Sequence, residues 1–474
     1  MNHLIIMADE YMAKALGCAG HPVVQTPNLD KLANAGVRFN HAYTPSPMCV
    51  PARAAFQTGL HVDKLGCWSS AEPYNGDPQG WGHHLRKNGS RVVSIGKLHY
   101  KTSLTDNGFD PELLPLHVTD SEGWVPGLLR QSPLPFDSSG FGNNIGGGGS
   151  EYSMYDGRIA DEARLWLSNP ENINKPWVLF VSLVSPHYPL RSPDHFFNLY
   201  DPQDVDMPFC YHSSERPSHP VVQKIMAASG YDQHFDSEKI RVARAAYYGL
   251  CSYVDDIVGQ LLNTLDQQRL TEDTRVVFTS DHGEMLGNHG AWTKMLMLED
   301  SVSIPMILSG PGIDSGTVNA TPVTLLDIAP MLYEDHQCPL PDHTLDGESL
   351  VTLSKENQPD RCVISQYHDG WSPTGFYMVR WGKWKYVHYQ DYSPQLFDLV
   401  SDPEERADLA AHKGYEQVLK TGWEKLNEWL DPKAVNEKAF SDQQKLIDQY
   451  GGVDGIKEKM ELYFDYTPIS QETH

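Results

Sequence analysis

The sequence predicts an α/β fold: one large mixed, mostly parallel sheet sandwiched by helices, with a smaller α+β unit at the C-terminus. Three observations predict it. Apolar runs the length of buried strands recur at "HLIIMA" (3–8), "RVVSIG" (91–96), "WVLFVSLV" (177–184), "RVVFTS" (275–280) and "IPMILSG" (304–310). Continuous rather than alternating apolar character marks strands covered on both faces. Helical patterns separate these runs, at "NLDKLANAG" (28–36), "YDGRIADEARLWLSN" (155–169) and "EKIRVARAAYYGLCSYVDDIVGQLLNTLDQ" (238–267), and Gly36 is a natural stop for the first. Late in the chain, "GFYMVRWGKWKYVHYQ" alternates aromatic and polar residues as a hairpin does, with Gly382 near its turn.

The 474 residues exceed what one hydrophobic core usually supports. A large unit over residues 1–345 is therefore expected to carry the ligand crevice. Residues 346–474, with a turn-rich junction near 338–362 marked by "CPLPDHTLDGESL" and "KENQPDRC", are expected to form a small antiparallel sheet, a helix at "GYEQVLKTGWEKLNEWL" and an extended tail. The Gly/Ser-rich "SSGFGNNIGGGGSEYS" (138–153) reads as a flexible excursion. It lacks the Lys-Ser/Thr ending of a phosphate loop.

Composition narrows the partners. Lys plus Arg number 37 against 62 Asp plus Glu, a formal net charge of −25, and no basic run interrupts the excess. Nucleic acid and anionic membrane surfaces are poor partners for such a field. An anionic substrate would have to be gripped by local cations and a metal. The opening "MNHLIIMADE" is too short and too acidic for a secretory core or a membrane span. As given, the chain reads as cytoplasmic; a leader trimmed before position 1 would make it periplasmic or secreted. The seven cysteines are odd in number, scattered and without a CxxC pair, so neither a disulfide framework nor a zinc cluster is expected.

In open α/β sheets the carboxyl ends of the strands form the ligand crevice. Four sets of chargeable residues stand there: Asp9 and Glu10, Lys97 and His99, His187, and Asp281 and His282. Singly, each is more often a cap, a turn former or a structural histidine. Their coincidence at one edge reads as a metal-assisted active site.

Between the first two sets lies "PMCVPARAAFQTG" (47–59), a turn-like segment with Cys49 two residues before a proline and four before Arg53. Cys-x-Pro-x-Arg followed by Thr58-Gly59 resembles the sulfatase signature, in which the cysteine is converted to formylglycine. Upstream "GHPVVQTPNLDKLANAGVRFNHAYTPSP" and downstream "SDHGEMLGNHGAWTK" strengthen the likeness to sulfatases of the alkaline-phosphatase-like superfamily, which runs from Leu4 to about Asp408.

The resemblance implies a sulfuric ester hydrolase. A formylglycine hydrate attacks sulfur with one hydroxyl, and deprotonation of the other expels sulfate as the aldehyde returns, so no second attack at sulfur is needed. It implies a divalent ion, calcium by family habit, held by Asp9, Glu10, Asp281, His282 and the modified residue 49. Arg53 would hold the hydrate, Lys97 and Lys294 would grip the sulfate and the leaving-group side, and His99 and His187 would act on the second hydroxyl and the leaving oxygen in an order left open. His289 in "GNHG" is either a supporting or a structural residue. Two departures stand out. Glu10 replaces the second aspartate of many sulfatases and is one methylene longer, which leaves its ligation open. His282 stands where arylsulfatases often show asparagine; in this it is similar to the choline sulfatase and phosphonate monoester hydrolase branches, and an imidazole ligand makes manganese the alternative ion.

The segment "RAAYYGLCSYVDDIVGQLL" and the tail "DPKAVNEKAFSDQQKLIDQYGGVDGIKEKM" look like those of choline-sulfatase-type enzymes, whose tails cover a neighbouring subunit's pocket. Trp124, Tyr367, Trp371 and Tyr377 are candidates for an aromatic cage around a quaternary ammonium. Aryl and carbohydrate sulfates stay open as substrates. A phosphonate monoester or phosphodiester hydrolase is the alternative activity, and intact Cys49, Arg53, Lys97 and Asp281 argue against a non-catalytic binding protein. The partners implied are a formylglycine-generating maturation enzyme and further copies of the chain in a homo-oligomer.

Overall fold

The computed structural model describes residues 1–460 together with Thr467 and Ile469. Eight strands form the main sheet, in the spatial order Glu112–Leu116, Arg91–Lys97, Trp177–Pro186, Asn2–Asp9, Thr274–Ser280, Met306–Ser309, Gly36–Phe39 and Thr317–Asn319. Neighbours pair parallel except at Met306–Ser309, which runs antiparallel to both strands beside it. Each predicted apolar run is a strand of this sheet. The three short strands absent from the sequence reading sit toward its margins.

The period of two along a strand explains why the central runs are apolar throughout. Leu4, Ile6 and Ala8 enter the core on one face, while Ile5 and Met7 enter the core on the other. On the first face the helices Glu151–Ser168 and Ser237–Gln267 contribute Ile159, Ala163, Ile257 and Leu261. On the second, Phe56, Leu85 and Leu332 come from Cys49–Thr58, Trp81–Lys87 and Ile328–Asp335. The longest helix starts at Asp236, whose Oδ1 accepts from the backbone N–H of Glu238 at 3.0 Å and of Lys239 at 2.9 Å.

Two local expectations need correction. The segment from Cys49 to Thr58 is an α-helix, not a turn. Pro51 falls in its first turn, where the missing N–H has no intrahelical partner to lose, and Gly59 closes it at φ 71°. The Gly/Ser-rich stretch contains the short helix Ser139–Asn143 and then the cap of the next one, with Ser150 Oγ accepting from Ser153 N at 3.2 Å.

The C-terminal sheet is antiparallel in the order Val363–Tyr367, Phe376–Trp381, Trp384–Tyr389, Gln395–Asp398. One of its faces, with Tyr367, Phe376, Met378 and Val387, joins the core of the main sheet. The other, with Ile364, Val379 and Tyr386, packs on Leu426 of the helix Glu416–Trp429. Helices Pro432–Gln449 and Gly452–Met460 follow. No helix among the described residues is long and apolar enough to cross a membrane.

At the amino ends of the strands a buried histidine pair ties the sheet to the helix Ile328–Asp335. His3 Nδ1 lies 3.1 Å from His336 Nε2, His3 Nε2 lies 2.8 Å from Asp335 Oδ2, and Ser90 Oγ lies 2.8 Å from His336 Nδ1. Burial first, and the neighbouring His3 second, bring His336 down from 6.5 to about 3. The fold therefore favours the neutral ring: its contribution is full above 6.5 and is lost as pH falls from there through about 3. His336→Asn is expected to flatten the fall in unfolding free energy between pH 7 and pH 4.5 by about 2 kcal/mol, read from urea midpoints. Parallel profiles for parent and variant would contradict this.

Candidate active site

Four parallel strands that neighbour one another in the sheet end at one place: Arg91–Lys97, Trp177–Pro186, Asn2–Asp9 and Thr274–Ser280. Lys97 and Asp9 are the last residues of two of them, and His187 and Asp281 follow the other two directly. Gly96 makes the first approach possible. Its φ is 103°, and a Cβ there would lie 2.2 Å from the Ser182 carbonyl oxygen of the adjacent strand. The helix Cys49–Thr58 points its amino end at the same spot, so Cys49 sits where backbone N–H groups favour negative charge.

The ten residues singled out from sequence come together here, and all are buried. Ligand atoms of Asp9, Cys49, Asp281 and His282 lie within 4.8 Å of one another, as do those of Asp9, Glu10 and His187. Cys49 Sγ is 3.0 Å from His282 Nε2 and 3.6 Å from Asp9 Oδ1. His282 Nδ1 lies 3.0 Å from the Gly283 carbonyl, which can only accept, so the proton is on Nδ1 and Nε2 presents its lone pair to the cluster. Glu10 stands to one side: Oε2 meets Lys294 Nζ at 3.3 Å and His187 Nε2 at 3.4 Å, while Oε1 is buried without a hydrogen-bond partner among the described residues.

Arg53, one helical turn after Cys49, braces the acids. Its Nε donates to Asp281 Oδ2 at 2.7 Å, and another of its nitrogens donates to the Lys97 carbonyl and to Ser182 Oγ at 2.8 Å each. Lys97 Nζ pairs with Asp9 Oδ2. Lys294 Nζ lies 3.0 Å from His187 Nε2 and 3.5 Å from Cys49 Sγ. The His187 Nδ1–H donates to the Tyr188 carbonyl at 2.7 Å, which leaves Nε2 to accept from the lysine. Glu10 (φ 64°), His99 (φ 55°), Thr293 (φ 63°) and Met295 (φ 80°) all hold left-handed backbone here. Such strain persists where surrounding structure overdetermines it, and it concentrates at functional sites.

Electrostatics follow from burial against charge. Burial raises the Asp9 carboxyl, but Lys97, then His187, Arg53 and Lys294, outweigh it and hold the group well below the usual range. Burial pushes Glu10 up to about 8, against Lys294 and with the like charge of Glu284. Burial and the Asp9 charge push the Cys49 thiol up to about 12. A thiol so held is protonated and a poor nucleophile in its own right. Burial and the adjacent lysines, Lys97 for His99 and Lys294 for His187, keep both rings neutral.

Sequence reasoning does not single out Glu284, whose Oε1 accepts from Leu286 N at 2.6 Å and Thr293 N at 2.7 Å and so shapes the loop bearing Lys294. It lies inside the "SDHGEM" stretch, but no spacing rule marks it. Nor does it find Tyr247, whose hydroxyl donates to the Glu10 carbonyl at 2.8 Å and accepts from Met12 N at 2.7 Å. His289 points its Nε2 at the Glu404 carbonyl, 2.8 Å away. Of the four cage candidates, Trp124 and Trp371 line the pocket over the cluster, together with Phe136 and Tyr231. Tyr367 and Tyr377 do not: they sit on strands of the C-terminal sheet and bond the carbonyls of Gly370 at 3.1 Å and Pro432 at 2.9 Å.

Comparison with known proteins agrees with this geometry. Residues 1–334 match the family model described as Sulfatase, and residues 287–431 match that described as N-sulphoglucosamine sulphohydrolase, C-terminal. A choline-sulfatase of Rhizobium meliloti (strain 1021) is 33% identical over 422 residues, covering 86% of this chain and 82% of the relative. Arylsulfatase K of Homo sapiens is 30% identical over 442 residues, covering 86% and 78%. Among solved structures, BT4656 in complex with its substrate D-glucosamine-2-N,6-O-disulfate has a TM-score of 0.74 at 20% identity, covering 93% of this chain and 98% of that one. The phosphonate monoester hydrolase of Agrobacterium radiobacter has a TM-score of 0.71 at 23% identity, covering 90% and 95%. These two likenesses establish the shared alkaline-phosphatase-like fold. The family match over most of the chain, and relatives that share nearly its whole length, make the chain a member of the sulfatase family and a sulfuric ester hydrolase.

Proposed function

We propose that the chain hydrolyses an organic sulfate monoester with a formylglycine nucleophile formed from Cys49 by a maturation enzyme, beside a divalent cation held by Asp9, residue 49, Asp281 and His282. The observation that carries the proposal is the convergence of these four buried groups within 4.8 Å. Two carboxylates and an imidazole lone pair suit a hard divalent ion, with calcium expected and manganese the alternative that the imidazole favours. The Oε1 of Glu10, without a hydrogen-bond partner among the described residues, is a further oxygen donor on a residue grouped with Asp9. The cation would supply Lewis-acid charge, and formylglycine would supply geminal hydroxyls, one to attack and one to drive release.

The chain's own groups supply the rest. Lys97 and Lys294, both buried, provide preorganised cations for sulfate oxygens. Arg53 keeps Asp9 and Asp281 aligned. Lys294 and His187 Nε2, 3.0 Å apart, share a proton that can pass to the leaving oxygen. His99 then serves as the base for the second hydroxyl.

Among the described residues that line the pocket, the charged groups are these lysines, beside the neutral His99 and His187, and an aromatic wall is formed by Trp124, Phe136, Tyr231 and Trp371. That wall offers stacking or cation–π contact rather than pairing with further anions. It favours a compact alcohol such as choline or an aryl group over a polysulfated chain. A panel of choline sulfate, an aryl sulfate, a glucosamine sulfate and an aryl phosphonate monoester tests the reading by release of inorganic anion. Sulfate esters are expected to lead the phosphonate by at least about tenfold in kcat/KM. The reverse ranking would assign the site to phosphonate ester hydrolysis.

A further inference from the structure

Near the end of the described chain, Thr467 reaches the catalytic pocket. Thr467 lines it beside Cys49, Lys97 and His99, and Ile469 packs against the neighbouring core. Two hydrogen bonds hold Thr467 there. Its carbonyl accepts from the Tyr152 hydroxyl at 2.6 Å, and its Oγ1 lies 3.1 Å from His99 Nε2. Tyr152 belongs to the first turn of the helix Glu151–Ser168, and its ring is 6.0 Å from that of His187. Thr467 is thus anchored to a rigid helix at a residue that also touches the second site histidine.

His99 has one nitrogen committed and one in reserve. Nε2 faces Thr467, whereas Nδ1 is buried without a hydrogen-bond partner among the described residues. A neutral imidazole carries a single ring proton, and the partner of one nitrogen decides the state of the other. A threonine hydroxyl accepts as readily as it donates. Nε2 faces a hydroxyl that can accept, whereas Nδ1 faces no acceptor among the described residues, so the ring proton finds its partner on Nε2, toward Thr467.

We infer that Thr467 is a positioning residue: by accepting the Nε2–H of His99 it holds the imidazole in the tautomer whose Nδ1 lone pair is available to take a proton from the reacting centre. The inference rests on the role of His99 as base proposed above. It gives Thr467 a part in the chemistry beyond lining the pocket.

The test uses the full-length, matured, metal-loaded enzyme and the variants Thr467→Val, Thr467→Ser, His99→Ala and the Thr467→Val/His99→Ala double. Valine keeps the shape and removes the acceptor, so kcat is expected to fall by about 10- to 100-fold with KM within about twofold, the size of effect usual for groups that orient a site residue. Serine restores kcat to within about threefold of the parent. In the His99→Ala background the valine substitution costs nothing further, because the group it acts through is gone. Melting temperatures of parent and valine variant should coincide within a few degrees. Full activity in Thr467→Val beside a large loss in His99→Ala would sink the inference and leave the proposed function intact. An equal loss from valine in both backgrounds would also sink it, and full activity in His99→Ala would sink the role of His99 with it.

Discussion

Replacing Cys49 with alanine is expected to remove sulfate release by a factor on the order of 10⁴ or more, while the melting temperature stays within a few degrees of the parent. The asymmetry follows from where the side chain sits. Its Sγ contacts His282 and Asp9 rather than the apolar core, and alanine is the best helix former at the start of the helix Cys49–Thr58. Catalysis, by contrast, loses the atom that bonds to sulfur. Serine makes the sharper comparison, since one hydroxyl can accept a sulfuryl group but has no second hydroxyl to expel it. Cys49→Ser should release the alcohol in a burst of at most about one equivalent and then stop, with no free sulfate. Steady sulfate release by either variant would remove residue 49 from the nucleophile's role.

Asp281→Asn is expected to lose bound metal and turnover together, with kcat/KM down by about 10³-fold or more. Asp281 is a double hinge of the site. One oxygen pairs with Arg53 at 2.7 Å, and the other accepts from the N–H groups of Glu10 at 3.2 Å and His282 at 3.0 Å. Asparagine keeps much of that shape but cancels the charge. The buried Arg53 would then face Asp9 alone, and a destabilisation of about 3 kcal/mol is expected in addition. Elemental analysis of the purified variant decides the matter: a metal content equal to the parent's would refute the ligand assignment.

The legibility of this molecule in its sequence follows burial. Strands covered on both faces are apolar throughout and can be read directly, whereas Glu112–Leu116 carries Pro115 and Gly36–Phe39 is only four residues long and opens on a glycine. The helix at Cys49 is obscured by Pro51, which reads as a turn until its place in the first helical turn is known. Charged residues directly after four strands point to one crevice because parallel strands put their carboxyl ends together. Contacts made across the fold leave no such trace. Thr467 meets His99 across 368 positions and Glu10 meets Lys294 across 284, and no local pattern encodes either. Likewise Trp371 and Tyr377 are equally aromatic in the sequence, yet only the first faces the pocket.

The central claim is that the working nucleophile is an aldehyde hydrate made from the Cys49 thiol. Peptide mass spectrometry at residue 49, on a preparation that is releasing sulfate, tests it most directly. The account predicts a fragment whose –CH₂SH has become –CHO, in a fraction of molecules that tracks specific activity. A fully active preparation in which residue 49 is an unmodified thiol throughout would contradict it.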